Sequence, residues 1–343
     1  MKSQSDVPRE SASTRLLRRC ALPLMVAAAV AVRVLVAVGI PPMSDVYYFL
    51  TEGVRTLLTG GNPYIHTYTS IPPALLTPGA HQVFTYLPAT LLYLVPFYLA
   101  GDVRLGLIAA DLIVGACLYL YGDRWRLGAA FIYLFLPFVI LFSTVFLNAS
   151  VIAMAFIAAF FVLESRGRRA TGAVSFGVAL ATVQFSLLIL PCLLVYYLRR
   201  RRWVEPVIVL ATAALIAGPF FVLSPTHFLR ETLFFQFGRP TAPLMTSGGF
   251  IGFTLNPSMS AIALAALGVQ VPLYVKAASE LVVVVIFARV TDVSSLARNS
   301  AFLVLASVVI LPSDLFWSYL ELPFMFLLFW LSAPKSLDLV KNI

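Results

Sequence analysis

Apolar residues in this chain come in long runs separated by short polar punctuation. The runs lie at about residues 20–40, 84–101, 103–121, 127–147, 149–163, 171–198, 204–223, 256–268, 271–290, 299–312 and 315–333. Several hold about 17–25 residues with almost no charge, enough for a helix to cross a hydrocarbon core of about 30 Å. Alternating ten-residue segments, the mark of a transmembrane barrel, are not found. The pattern predicts an all-α, polytopic helical membrane protein of about ten crossings, a single domain over residues 1–343. The run 171–198 has basic residues on both flanks. It therefore predicts a hairpin of two short helices turning near "TVQF" (Thr182 to Phe185). Broken backbone at that depth is tolerated only where protein buries it or a cavity borders it.

The longest interruptions are 41–83 and 224–255, rich in aromatics, Pro, Gly and hydroxyls. The first opens with "PPMSDVYYFLTEGVRTLLTGGNPY", Pro41 to Tyr64. Val46, Phe49, Leu50, Val54, Leu57 and Leu58 recur at helical spacing and predict an amphipathic helix on the outer membrane surface. Ser44 or Asp45 is placed to cap its N-terminus. Glu52 and Arg55, three apart, are placed to pair. Gly60 and Gly61 stop the helix, and Asn62-Pro63 starts a turn.

Composition supports the membrane reading: 60% of residues are hydrophobic and 11% charged, where soluble domains have about a quarter charged. The net charge of +9 changes the picture only through its placement. Basic residues sit at the ends of apolar runs, where they act as topology signals, so nucleic acid is not an expected partner. Residues 1–19, with Arg9, Arg15, Arg18 and Arg19, read as a cytoplasmic tail. The run Cys20 to Ile40 is longer than a signal-peptide core and reads as a retained anchor. "ESRGRR" (Glu164 to Arg169), "RRRR" (Arg199 to Arg202) and the tail with Lys335 and Lys341 also read as inside. Loops 41–83 and 224–255 then share the outer face of a multi-pass protein integral to the plasma membrane. "GDVR" and "GDRWR" both look cytoplasmic, although one apolar run separates them. Cys20, Cys117 and Cys192 lie in or beside apolar runs and have neither metal nor disulfide spacing.

Polar residues within this apolar frame are the candidates for chemistry. Arg33 lies about 10 Å inside the first span. Such an arginine snorkels, pairs with an acid such as Asp45, or meets a phosphate entering the membrane. Gln184, at the hairpin turn, either satisfies broken backbone or binds a ligand. Arg230 and Arg239, in a loop rich in phenylalanine, present forked donors suited to a lipid-linked phosphate. Tyr86 fits an interfacial aromatic belt. No P-loop, H-E-x-x-H, G-x-S-x-G or C-x-x-C is present, and His66, His81 and His227 are scattered. Asp111, Glu280, with Lys276 four residues before it, and Glu321 are acids within apolar runs, as transporters use.

Asp45 just beyond the first span, the amphipathic helix, "GGNPY" and "FTYLPATLLYLVPFYLAGDVR" resemble, in order, the GT-C superfamily of membrane glycosyltransferases. The nearest likeness is to the family-87-type mannosyltransferases that use polyprenyl-phosphate sugars. "GVALATVQFSLLILPCLLVYYLRRRRW" resembles a later segment of the same family. The likeness covers about residues 20–205. It implies that a hexose, mannose favoured, passes with inversion from a polyprenyl-phosphate donor to a lipid or glycan acceptor on the extracytoplasmic face. Asp45 matches the family's general base. Arg33, Arg230, Arg239 and Gln184 would bind the donor phosphate. Tyr47, Tyr48, Glu52, Asn62, Tyr64 and Tyr86 would form the sugar or acceptor pocket. No cofactor beyond the donor lipid is implied, and a divalent metal is left open. One departure stands out: Val183 occupies the position where the family often has a lysine. Two other readings stay open, a transporter or lipid flippase and a non-catalytic GT-C-like scaffold.

Overall fold

A computed structural model describes residues 12–75, 82–123, 125–234, 245–247, 253–255, 258–310 and 320–333. Its helices are α1 (Ala12–Gly39), α2 (Asp45–Leu58), α3 (Pro88–Leu99), α4 (Arg104–Tyr121), α5 (Arg126–Phe135), α6 (Pro137–Thr144), α7 (Ser150–Ser165) and α8 (Arg169–Leu180). They continue as α9 (Leu190–Arg199), α10 (Val204–Leu223), α11 (Pro225–Leu229), α12 (Met259–Leu267), α13 (Leu273–Phe287), α14 (Val293–Ile310) and α15 (Glu321–Ser332). A three-residue antiparallel hairpin pairs Met245–Ser247 with Phe253–Leu255 inside the second long loop. No other strand occurs among the described residues.

Among the described residues, four helices are long and apolar enough to cross a membrane: Cys20–Gly39 within α1, α4, α10 and α14. The α5–α6 pair makes a fifth if its 53° bend lies within one span. The bend has a covalent cause, because Pro137 holds Leu136 in extended backbone (φ −66°, ψ 120°). This is fewer than the ten crossings expected. Several apolar runs fold instead as helices of 10–17 residues, among them α3, α7 and α15. Each of these three packs against α4, so apolar length overstates the number of long helices.

The centre of the molecule is α4, which packs on α7 and α5. Close approach rests on small residues, the usual device where lipid supplies no hydrophobic drive. A Cβ at Gly115 would lie 2.6 Å from the Leu134 side chain of α5. One at Gly177 of α8 would lie 2.6 Å from both Thr212 and the Val209 carbonyl of α10.

Run 171–198 forms the hairpin that its flanks require. Arg202, just beyond α9, pairs with Glu164, just ahead of α8, so both ends of the run lie together. At the turn the helix carbonyls left without partners are satisfied by the start of α3. Ala181 O accepts from Ala89 N–H at 2.8 Å, and Thr182 O from Leu87 N–H at 2.9 Å and Thr90 Oγ1 at 2.8 Å. The interruption in one element thus caps the orphan donors of another.

"GDVR" and "GDRWR" lie at opposite ends of α4, not at one end. Arg104 donates from Nη1 to Ala37 O at 2.6 Å, so this turn stands where α1 ends and loop 41–83 begins. The opposite end holds "GDRWR", where Asp123 N–H reaches Ser332 O at 3.2 Å, and the arginine-rich turns after α7 and α9. Helix α3, at 12 residues, is shorter than the helices long enough to span a membrane.

Candidate functional site

Helix α2 begins where the sequence places it. Ser44 is its cap: extended (φ −136°, ψ 144°), with Oγ accepting from Val46 N–H at 3.2 Å. The hydroxyl also donates to Asp45 Oδ1 at 3.3 Å. Asp45 is therefore the first helical residue, half-buried, in the positive field of the helix N-terminus. Met43 N–H donates to Val145 O at 2.9 Å and moors this corner to the end of α6. The apolar face of α2 turns into protein, not lipid: Phe49, Leu50 and Val54 are buried, and Gly53 lies against Leu91, Tyr68 and Phe84. Leu58 is exposed.

The cation beside this corner is Arg104. It pairs with Asp102 (Nε 2.8 Å, Nη2 2.7 Å) and lies 5.7 Å from the Tyr47 ring centroid. Burial, reinforced by the Asp102 charge, raises the Tyr47 phenol above its ordinary value, so the hydroxyl stays neutral. Tyr48 packs edge-on against Tyr47 at 5.4 Å. Arg33 is elsewhere. It is fully buried and paired with Asp111 of α4 at 3.1 Å, so the expected link to Asp45 is replaced by a link inside the helix core. Leu134 O accepts from Arg33 Nη1 at 2.9 Å, and Tyr133 donates to Asp111 at 3.0 Å.

Other candidates tie the loops together. Glu52 pairs with His66 at 2.7 Å and accepts from the Ser70 hydroxyl and N–H, in place of the expected Arg55 pair. Burial pushes its carboxyl up, but the hydrogen bonds from Ser70 and His66 outweigh that and hold it below the ordinary range. Asn62 Oδ1 accepts from Tyr64 N–H at 2.9 Å, and its Nδ2 donates to Ser224 Oγ at 2.9 Å. Tyr64 is fully buried, donates to Tyr86 O at 2.9 Å, and packs on Phe84, Phe220 and Phe228. Burial keeps its phenol well above the ordinary value. Tyr64 is thus a wedge between the loops, not the wall of an open pocket. Tyr86 is half-buried and packs its ring on Phe84 at 5.6 Å.

Gln184 donates from Nε2 to Thr85 O and, at 2.6 Å, to Thr232 O, so both its amide hydrogens serve backbone. Val183 is buried beside it. Arg230 stays open, its side chain 63% exposed, with Glu231 at 2.5 Å and His227 at 3.4 Å. Arg239 lies outside the described residues.

Asp45, Tyr47 and Tyr48 thus share the first turn of α2, with Arg104 of α4 over the Tyr47 ring, while Asn62, Tyr64, Tyr86 and Gln184 bind the surrounding loops together. Sequence reasoning missed Arg104 because Asp102 neutralises it, leaving no net charge to read. It also missed Asn148, whose Nδ2 donates to the buried Glu321 at 2.7 Å near the Met43–Val145 link. Among the described residues no three His, Cys, Asp or Glu side chains gather as a metal site. No protein-family model matches the chain, and no curated protein matches it significantly.

Proposed function

We propose that this chain is an inverting glycosyltransferase of GT-C type, built as a multi-pass membrane protein with the loop-bearing end outside the cytoplasm. It would move a hexose, mannose favoured, from a polyprenyl phosphate to a lipid or glycan acceptor. The observation that carries the reading is the position of Asp45. Asp45 is half-buried, relieved of capping by Ser44, and stands at the N-terminus of a helix whose other face is buried. The motif likeness supports the same assignment.

In this mechanism the acceptor hydroxyl attacks the anomeric carbon as Asp45 takes its proton. The bond from that carbon to the phosphate oxygen breaks, and the polyprenyl phosphate leaves with both electrons. One displacement inverts the anomeric configuration. The leaving group needs positive charge, not a proton. Arg230, its side chain 63% exposed although paired with Glu231, is the candidate cation for it. Arg33 and Gln184, engaged by Asp111 and by backbone, serve architecture in this reading.

Asp45→Asn tests the proposal. The variant keeps the shape and Ser44 still caps, so the thermal midpoint stays within a degree or so, while sugar transfer falls by about 10²–10⁴-fold. Transfer of labelled mannose from polyprenyl-phosphate mannose at the wild-type rate would exclude Asp45 as base.

A second reading has an observation of its own. Arg33, Asp111 and Glu321 form a buried charged group between α1, α4 and α15, as transporters use for ion passage. Proton-coupled uptake into vesicles that vanishes in Asp111→Asn would favour it.

A further inference from the structure

The end opposite the loops carries a surface that the proposed transfer does not use. Two turns far apart in sequence meet there, because Arg202 reaches Glu164 and Arg200 reaches Thr291 O at 3.4 Å. Six arginines are exposed on them: Arg166, Arg168, Arg169, Arg199, Arg200 and Arg201. Acids beside these two turns are engaged within the protein, while Asp123 at the same end is exposed. Glu164 and Glu205 are buried, Glu164 also accepting from the Tyr196 hydroxyl at 2.6 Å, while Asp292 accepts from Ser295 N–H at 2.7 Å. Trp203, 65% exposed, stands immediately after the second turn, as interfacial anchors do.

The two turns are also built alike. After α7, Arg168 N–H donates to Leu163 O at 2.9 Å and Gly167 N–H to Glu164 O at 3.1 Å, with Gly167 left-handed at φ 74°. After α9, Arg202 N–H donates to Tyr197 O at 3.0 Å and Arg201 N–H to Leu198 O at 3.0 Å. This is the same helix stop, which favours glycine at its left-handed residue. The second turn has Arg201 there, at φ 53°. Among the described residues only Leu147 shares a positive φ without being glycine. A side chain in that conformation costs free energy that glycine avoids. Arg201 adds a sixth charge to the face in exchange.

We propose that this face is a binding surface for anionic phospholipid headgroups, and that Arg201 is kept in a strained conformation to hold its guanidinium on it. Forked guanidinium donors match phosphate oxygens. Basic clusters beside membrane helices gain roughly a fivefold preference for acidic lipid per arginine. The fold adds the pairing of two separate turns into one patch and engages the acids beside them.

Purified full-length protein in detergent, mixed with equal phosphatidylglycerol and phosphatidylcholine, tests this by native mass spectrometry of the lipids retained. Detergent removes any role of the arginines as orientation signals. Wild type retains phosphatidylglycerol preferentially. R199Q/R200Q/R201Q lowers that preference by about tenfold or more, and R201G alone by about fivefold. R201G also raises the thermal midpoint in lipid-free detergent by about 2 °C, because strain is relieved. R201K keeps the charge and most of the preference. If the triple variant does not fold, R201G and R201K decide between them. Wild type without a preference, or R201G with an undiminished one, overturns the proposal.

Discussion

A guanidinium shut away from water needs its charge and its N–H groups met by protein. For Arg33, Asp111 meets the charge, the Leu134 and Ala29 carbonyls accept from Nη1, and Nη2 has no partner among the described residues. Removing one member of a buried pair strands the other, and that costs about 3–5 kcal/mol. Arg33→Met should therefore lower stability by that amount in detergent unfolding, and Arg33→Met with Asp111→Leu should recover much of it. Additive losses in the double variant would show that the two side chains do not depend on each other. The sequence marked Arg33 as anomalous by depth alone. It could not name the partner, which lies 78 residues away on another helix. At Asp45 the outcome is different: Ser44 and Asp45 are equally good caps by type, and only backbone geometry assigns the cap to Ser44.

Single elements explain why some of the site was legible. The α2 stripe and its glycine stop follow from local spacing, so its bounds, Asp45–Leu58, match the pattern closely. Its charged pair does not, because the chain folds back and brings His66 and Ser70 to Glu52 before Arg55 can compete. That contact has a pH signature. Glu52 is held below its ordinary value of 4.5 in the fold, so its contribution is fully present above that value. It is lost as pH falls through the lower, folded value. Amide exchange over residues 62–75, corrected for intrinsic rates, should quicken as pH drops from about 6 to about 3. Glu52→Gln should show fast exchange throughout that range. Parallel curves for the two proteins would remove Glu52 from the loop's stability. The hairpin of α8 and α9 was legible for a different reason, since a run with basic flanks on both sides has to return.

At the scale of the whole molecule, the ends are defined by which polar groups gather. Arg104 on Ala37 O puts "GDVR" with the first long loop, and Arg202 on Glu164 puts the arginine turns together at the other end. Single cysteines at Thr67 and Gly101, in a background with Cys20, Cys117 and Cys192 changed to serine, should react with an impermeant maleimide from the same side of a sealed vesicle. A cysteine at Arg168 should react from the other side only. Labelling of positions 67 and 101 from opposite sides would favour the cytoplasmic assignment of "GDVR" and make α3 a crossing helix.

Composition and periodicity alone determined that this chain is helical, membrane-embedded in character and organised around two long polar loops, because those features follow from residue spacing and hydrophobic length. Tertiary structure decided the number of long helices, since apolar runs pack on each other as readily as they face lipid. It also decided every charged pairing described above. Arg33 with Asp111, Glu52 with His66 and Arg202 with Glu164 each join residues from different segments, and a Coulombic contact depends on distance through space, which no local pattern encodes.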